Sequence, residues 1–247
     1  MGSGPVPQRG ARVRWCVSTP SPDLIQHPSP NCGERRGGAR PDLIVLHYTA
    51  MDSAEAALAR LCDPQTEVSC HYLIAEDGRI WQLVTEEQRA WHAGAGQWGS
   101  VRDVNSRSIG IELANTSTHP FPEPQMAALE VLMPGIMARW AIPAHRVIGH
   151  SDMAPARKCD PGPRFDWQRL ARQGLSVWPA PSEPDGKGFD ALSERFGYAS
   201  DVPQDARLIA FRTRFRPGVT GPLNPGDLAC LADLAARFPV DADVPSA

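Results

Sequence analysis

The sequence predicts an α/β fold with a small helical unit at its C-terminal end. Three observations carry this. Between residues 42 and 150 short apolar runs of strand length alternate with segments of helical period. Asp77-Gly78, a dipeptide suited to tight hairpin turns, separates two strand-like runs. The stretch 179–188, rich in Pro and Gly, has linker composition, and only helix-forming segments follow it.

Residues 1–26 combine Pro, Gly, Ser and Arg without an apolar period and read as a loosely ordered tail. Order is expected to begin near Asp42-Leu-Ile-Val-Leu-His47, a buried strand ending on a histidine. Asp52-Ser-Ala-Glu55 has the spacing of a capping box, and a short helix continues it until Asp63-Pro64. Residues 71–84 form the hairpin. In Ser108-Ile-Gly-Ile-Glu-Leu113, a further strand, Ile109, Ile111 and Leu113 share one face, so Gly110 and Glu112 share the other. Met126, Leu129, Met133, Ile136 and Trp140 recur at helical spacing, with Pro134 expected to kink or split that helix. Residues 145–150 read as one more short strand. Beyond the linker, helices are expected at about 189–196, 205–215 and 225–238, the last with Asn224 as N-cap and Pro225 at its first position. The chain is therefore expected to divide into a tail (1–26), a main α/β domain (27–178), a linker (179–188) and a small helical module (189–240).

A net charge of -3, from 25 Lys and Arg against 28 Asp and Glu, gives no general attraction to nucleic acid or an anionic membrane. No apolar run approaches the ~20 residues of a spanning helix, and the first 21 residues lack the apolar segment of a secretory signal. Six scattered cysteines (Cys16, Cys32, Cys62, Cys70, Cys159 and Cys230), none in a CxxC pair, read as reduced thiols. The expected location is cytoplasmic, with the periplasm or cell envelope as the alternative, and the expected state is a monomer.

The chemistry concentrates in Gly149-His-Ser-Asp-Met-Ala-Pro-Ala-Arg-Lys-Cys-Asp-Pro-Gly-Pro163, a Gly- and Pro-rich loop of the kind that holds functional groups. In extended backbone Lys158 and Asp160 project to one side and Cys159 to the other. Catalytic zinc takes imidazole nitrogen and carboxylate oxygen, with three protein ligands and one open position. His47, His150 and Asp160 supply such a set. They come from distant segments without a local signature, and a histidine ending an apolar strand is more often a structural hydrogen-bonding residue.

Five blocks, in order, resemble a known family. They are Leu46-His-Tyr-Thr-Ala50, Val68-Ser-Cys-His-Tyr-Leu-Ile74, Trp91-His-Ala-Gly94, Ser108-Ile-Gly-Ile-Glu112 and the 149–163 loop. The family is that of the zinc-dependent N-acetylmuramoyl-L-alanine amidases of the AmpD and AmiD type. The resemblance covers about residues 27–178. It implies the fold shared with peptidoglycan recognition proteins, a central mixed β-sheet flanked by helices with one zinc in a surface groove. By the same resemblance His47, His150 and Asp160 match the zinc ligands, while Glu112 and Lys158 match the catalytic side chains. The implied partner is peptidoglycan or a muropeptide, and the implied reaction is hydrolysis of the amide between N-acetylmuramic acid and L-alanine. Trp91, His92 and Arg157 are candidates for substrate contact, with Arg157 and Asp152 also readable as structural partners within the loop, and His71 reads as structural. Residues 189–238 resemble a degenerate peptidoglycan-binding module, or else a helical cap on the catalytic domain.

Three positions depart from the family pattern. They are Cys70, Pro134 and Cys159, the last because a thiolate beside the site competes with Asp160 for zinc. Two alternatives to the amidase stay open: a protein that binds muropeptides without cutting them, and a zinc hydrolase of another amide.

Overall fold

The computed structural model describes residues 23–181 and 186–241. Most of the tail and the centre of the linker lie outside the described residues. The strands are β1 (Leu24–Gln26), β2 (Cys32–Gly33), β3 (Leu43–Tyr48), β4 (Tyr72–Ile74), β5 (Ile80–Gln82), β6 (Arg89–Ala90), β7 (Ser108–Leu113) and β8 (Val147–Gly149). The α-helices are α1 (Ala54–Cys62), α2 (Val104–Arg107), α3 (Glu123–Trp140), α4 (His150–Met153), α5 (Trp167–Arg172), α6 (Phe189–Phe196), α7 (Gln204–Phe215) and α8 (Pro225–Arg237). Six strands form one mixed sheet in the order β1-β5-β4-β7-β3-β8, antiparallel only between β4 and β5, and β2 pairs with β6 beside it. This is the mixed, helix-flanked sheet expected of the family.

Alternation along the strands decides what each face does. Ile44, Leu46, Ile109, Ile111 and Leu113 pack against Met126, Leu129, Met133 and Ile136 of α3. On the opposite face, Leu43, Val45 and Ile148 share one core with Phe196, Phe211 and Phe215 of the C-terminal helices. Further across that second face, Leu73 and Trp81 are covered by Ala54, Ala57 and Leu61 of α1. Between these two covers the face is open. In parallel register His47 of β3 stands beside Glu112 of β7, and both project into the opening.

Several local expectations change in detail. β1 falls inside the stretch read as a tail; a three-residue edge strand is too short to show a period, and it is ordered by parallel pairing with β5. The N-cap of α1 is Ser53 rather than Asp52, its side chain accepting from Ala56 N. α3 runs through Pro134 as one helix, because four turns of buried apolar side chains outweigh the one backbone hydrogen bond that proline removes. The strand expected at 145–150 is confined to β8, and His150 opens α4. Asn224 caps α8 as expected, in a reciprocal pair with Asp227. No helix among the described residues is long and apolar enough to cross a membrane.

A buried ion pair joins the C-terminal helices to the loop that carries His150. Arg214 donates to Asp152 at 2.6 Å and to the Val147 carbonyl at 2.9 Å, and Tyr198 donates to the other Asp152 oxygen at 2.8 Å. The partners of Asp152 thus include residues far outside its own loop. Asp152 is 0% exposed, so removing its cation strands a carboxylate in a low-dielectric interior. Arg214→Leu is expected to cost about 3–5 kcal/mol, read from denaturant melts. A loss below about 1 kcal/mol, the size of a surface pair, contradicts this.

Candidate metal centre

The opening in the sheet face is a cavity of about 370 Å³. Its floor is set by backbone geometry. β3 delivers His47, β8 ends at Gly149 so that α4 begins with His150, and the chain returns at Asp160 to lie against both. Gly149 makes that return possible, since a Cβ there would come within 2.8 Å of Pro161. The Asp160 carbonyl then accepts from Ser151 N at 2.9 Å.

Three ligand atoms converge. His47 Nδ1, His150 Nδ1 and Asp160 Oδ2 lie 3.0 Å from one another. All three residues are buried. This set could hold a metal ion. The 3.0 Å edges are a few tenths of an ångström shorter than the ~3.3–3.4 Å expected when ligands at ~2.0–2.1 Å surround one zinc tetrahedrally. The remaining imidazole nitrogens are occupied. His150 Nε2 donates to the Ala93 carbonyl at 2.8 Å, and His47 Nε2 is 3.0 Å from His92 Nδ1.

The electrostatics suit a cation. Burial and the neighbouring His150 push His47 down to about 4, so its imidazole is neutral and free to coordinate at physiological pH. Burial works against the Asp160 charge, but the two imidazoles in contact with it outweigh burial and hold the carboxyl well below the ordinary range. Glu112 is opposite. Burial, then the Asp160 charge, raise it to about 8 against a lowering by Lys158, and its Oε2 has no hydrogen-bond partner among the described residues. A carboxyl of this kind is poised to take and return a proton near neutral pH.

This shift carries a prediction for metal-free protein. The folded pKa of Glu112 lies above the ordinary 4.5, so the folded state binds more protons than the unfolded state between about 4.5 and about 8. Stability from this group is present below that window and lost as pH rises through about 8. Glu112→Gln removes the titration. It is expected to raise the melting temperature at pH 8.5 by about 2–4 °C per kcal/mol relieved, and by much less at pH 5. Equal effects at both pH values contradict the assignment.

The candidate residues come together largely as the sequence suggested. His47, His150 and Asp160 form the floor, and Glu112, Lys158, Trp91, His92 and Arg157 all line the cavity. Arg157 also has a structural task, donating to the carbonyls of Ala93 and Ala95. Trp98 belongs to the core, packed edge-on against Phe196 and Tyr198. His71 is fully buried and accepts from Gly110 N. Cys159 stays outside the ligand set; its Sγ lies 3.1 Å from the Tyr48 hydroxyl, at the exposed edge. Tyr48 and Arg60 are among the lining residues that the sequence did not single out. Tyr48 follows His47 directly and strict alternation sends it to the other face, while Arg60 reaches the cavity only because α1 is laid along its rim.

A mixed sheet that brings two imidazoles and one carboxylate able to hold a metal ion, a further buried carboxyl and a lysine to an open cavity has the make-up of a hydrolase site. Residues 37–163 match the family model described as N-acetylmuramoyl-L-alanine amidase. The chain belongs to that family. It is 39% identical over 212 residues to N-acetylmuramoyl-L-alanine amidase AmiD of Escherichia coli strain K12, covering 72% of this chain and 76% of the relative. It is 35% identical over 165 residues to 1,6-anhydro-N-acetylmuramyl-L-alanine amidase AmpD of Enterobacter cloacae, covering 60% of this chain and 88% of that one. Among solved structures, AmiD from E. coli in complex with the substrate anhydro-N-acetylmuramic acid-L-Ala-D-gamma-Glu-L-Lys superposes with a TM-score of 0.72 at 34% identity, covering 84% of this chain and 98% of that chain. AMPDH3 from Pseudomonas aeruginosa in complex with anhydromuramic pentapeptide gives 0.73 at 32%, covering 83% and 94%. The similarity to AmiD and AMPDH3 extends beyond the family match, which ends at residue 163.

Proposed function

We propose that this protein hydrolyses the amide bond between N-acetylmuramic acid and L-alanine in peptidoglycan or its muropeptide fragments, using one zinc ion held by His47, His150 and Asp160. The observation that carries this is the 3.0 Å triangle of ligand atoms at the floor of a cavity that also presents Glu112 and Lys158. A protein that only recognised muropeptides has no use for a buried carboxyl with a raised pKa beside a complete ligand set.

Zinc, when bound, supplies a Lewis acid for the scissile carbonyl and lowers the pKa of water toward ~7. Glu112 accepts the proton of the attacking water and delivers it to the leaving nitrogen, which departs as the free amine of L-alanine. The Lys158 ammonium stabilises negative charge developing on the carbonyl oxygen. Trp91 offers an apolar wall to sugar or peptide. Arg157 steadies the 93–95 loop and faces the substrate with its remaining donors. The shared core and the Arg214–Asp152 pair support a cap role for the C-terminal helices. The five cysteines among the described residues are free thiols, which supports work in a reducing compartment; cell fractionation separates this from the envelope.

Incubating zinc-loaded protein with a muramoyl tripeptide and analysing products by mass spectrometry tests the reaction. Separation into N-acetylmuramic acid with its lactyl carboxyl free and a peptide with a free L-alanine amine is expected. Binding without cleavage would establish the recognition protein instead.

A further inference from the structure

Behind His47 lies a chain of hydrogen bonds whose directions follow from chemistry. The Ser108 hydroxyl is 2.6 Å from the Val104 carbonyl, which can only accept, so the hydroxyl proton is spent there. The 3.2 Å contact between Ser108 Oγ and His92 Nε2 therefore needs the proton on Nε2. No carboxylate among the described residues is hydrogen-bonded to the His92 ring, and a neutral ring with its proton on Nε2 has a bare Nδ1. That Nδ1 is 3.0 Å from His47 Nε2 and can only accept from it. The His47 proton is then fixed on Nε2, and its Nδ1 lone pair points at His150 and Asp160.

The His92 ring is held by more than this chain. It lies on β7 where Gly110 leaves room, since a Cβ there would meet the ring at 2.4 Å. Asn105 Oδ1 accepts from the backbone of both His92 and Ala93, at 3.0 and 2.9 Å. The Ala93 carbonyl in turn takes the Nε2 proton of His150. Two adjacent residues thus orient both imidazoles.

We propose that His92 is a positioning residue for the metal, setting the tautomer and direction of His47 through Nδ1. It acts as the acceptor, with Ser108 and Val104 fixing which nitrogen is bare. This rests on the reading of His47 as a ligand. Outer partners of ligating histidines typically matter 10–100-fold in metal affinity.

Zinc affinity of the full chain, measured by competition with a chromophoric chelator, tests this without reference to turnover. His92→Asn places an amide oxygen near the Nδ1 position and is expected to hold zinc within about tenfold of wild type. His92→Gln places its amide near the Nε2 position, keeps a polar contact to Ser108 but offers His47 no acceptor, and is expected to lose about 10–100-fold. Circular dichroism of the metal-free proteins establishes that both are folded. Equal affinities for the two variants, whether both like wild type or both weakened alike, overturn the proposal, the second outcome assigning the ring to packing alone. Where either variant fails to fold, Ser108→Ala serves: a weaker affinity supports the chain of donors, and an unchanged one overturns it. Failure of the wild-type protein to bind zinc would instead remove the metal reading itself.

Discussion

Replacing Glu112 with alanine is expected to lower turnover of a muramoyl peptide by about 10²–10⁴-fold while leaving zinc bound, because general acid–base catalysis by a positioned side chain contributes on that scale. The separation of the two effects follows from position. Glu112 stands in register beside His47 but is not in the ligand triangle, and one of its oxygens has no hydrogen-bond partner among the described residues. Its removal therefore breaks no contact that holds the metal, and it also relieves a buried acid. Steady-state kinetics with metal analysis of the same sample checks this. Near-native turnover with zinc present would take the proton-transfer role away from Glu112.

Asp160→Ala acts on the other half of the site. One carboxylate oxygen lies 3.0 Å from Nδ1 of each histidine, and Asp160 is the anionic member of the ligand set. Without it two neutral imidazoles remain, and zinc is expected to dissociate during dialysis with turnover falling to background. Metal content by atomic emission checks the outcome. Retention of one zinc per chain in this variant would assign the third ligand elsewhere, and Cys159, the adjacent thiol, would be the first residue to examine.

The sequence made much of this site legible for definite physical reasons. Alternation along β7 separated Glu112 from Ile109, Ile111 and Leu113, and the structure places them on opposite faces. The hairpin was legible because Gly78, with φ of 92°, sits at the turn that the Asp-Gly dipeptide favours. The convergence of His47, His150 and Asp160 was not legible from spacing, because more than a hundred residues separate the first two and only the resemblance tied them together. The second layer behind His47 was hidden for a similar reason. The link from His92 to Ser108 and Val104 depends on how β7 is laid against the 91–94 loop, and nothing local in the sequence records that approach. The covering of the site-bearing face by α6, α7 and α8 was likewise outside the reach of composition. A linker marks where a unit begins, whereas the Arg214–Asp152 pair depends on where it docks.

The central claim is that one zinc ion held by His47, His150 and Asp160 drives cleavage of the muramoyl-alanine amide. Its most direct test is a titration of zinc into chelator-stripped protein, following amide cleavage and bound metal together. Activity is expected to be absent from the stripped protein and to rise linearly to a plateau at one zinc per chain. Cleavage by protein from which all metal has been removed, at the rate of the reconstituted sample, would contradict the claim.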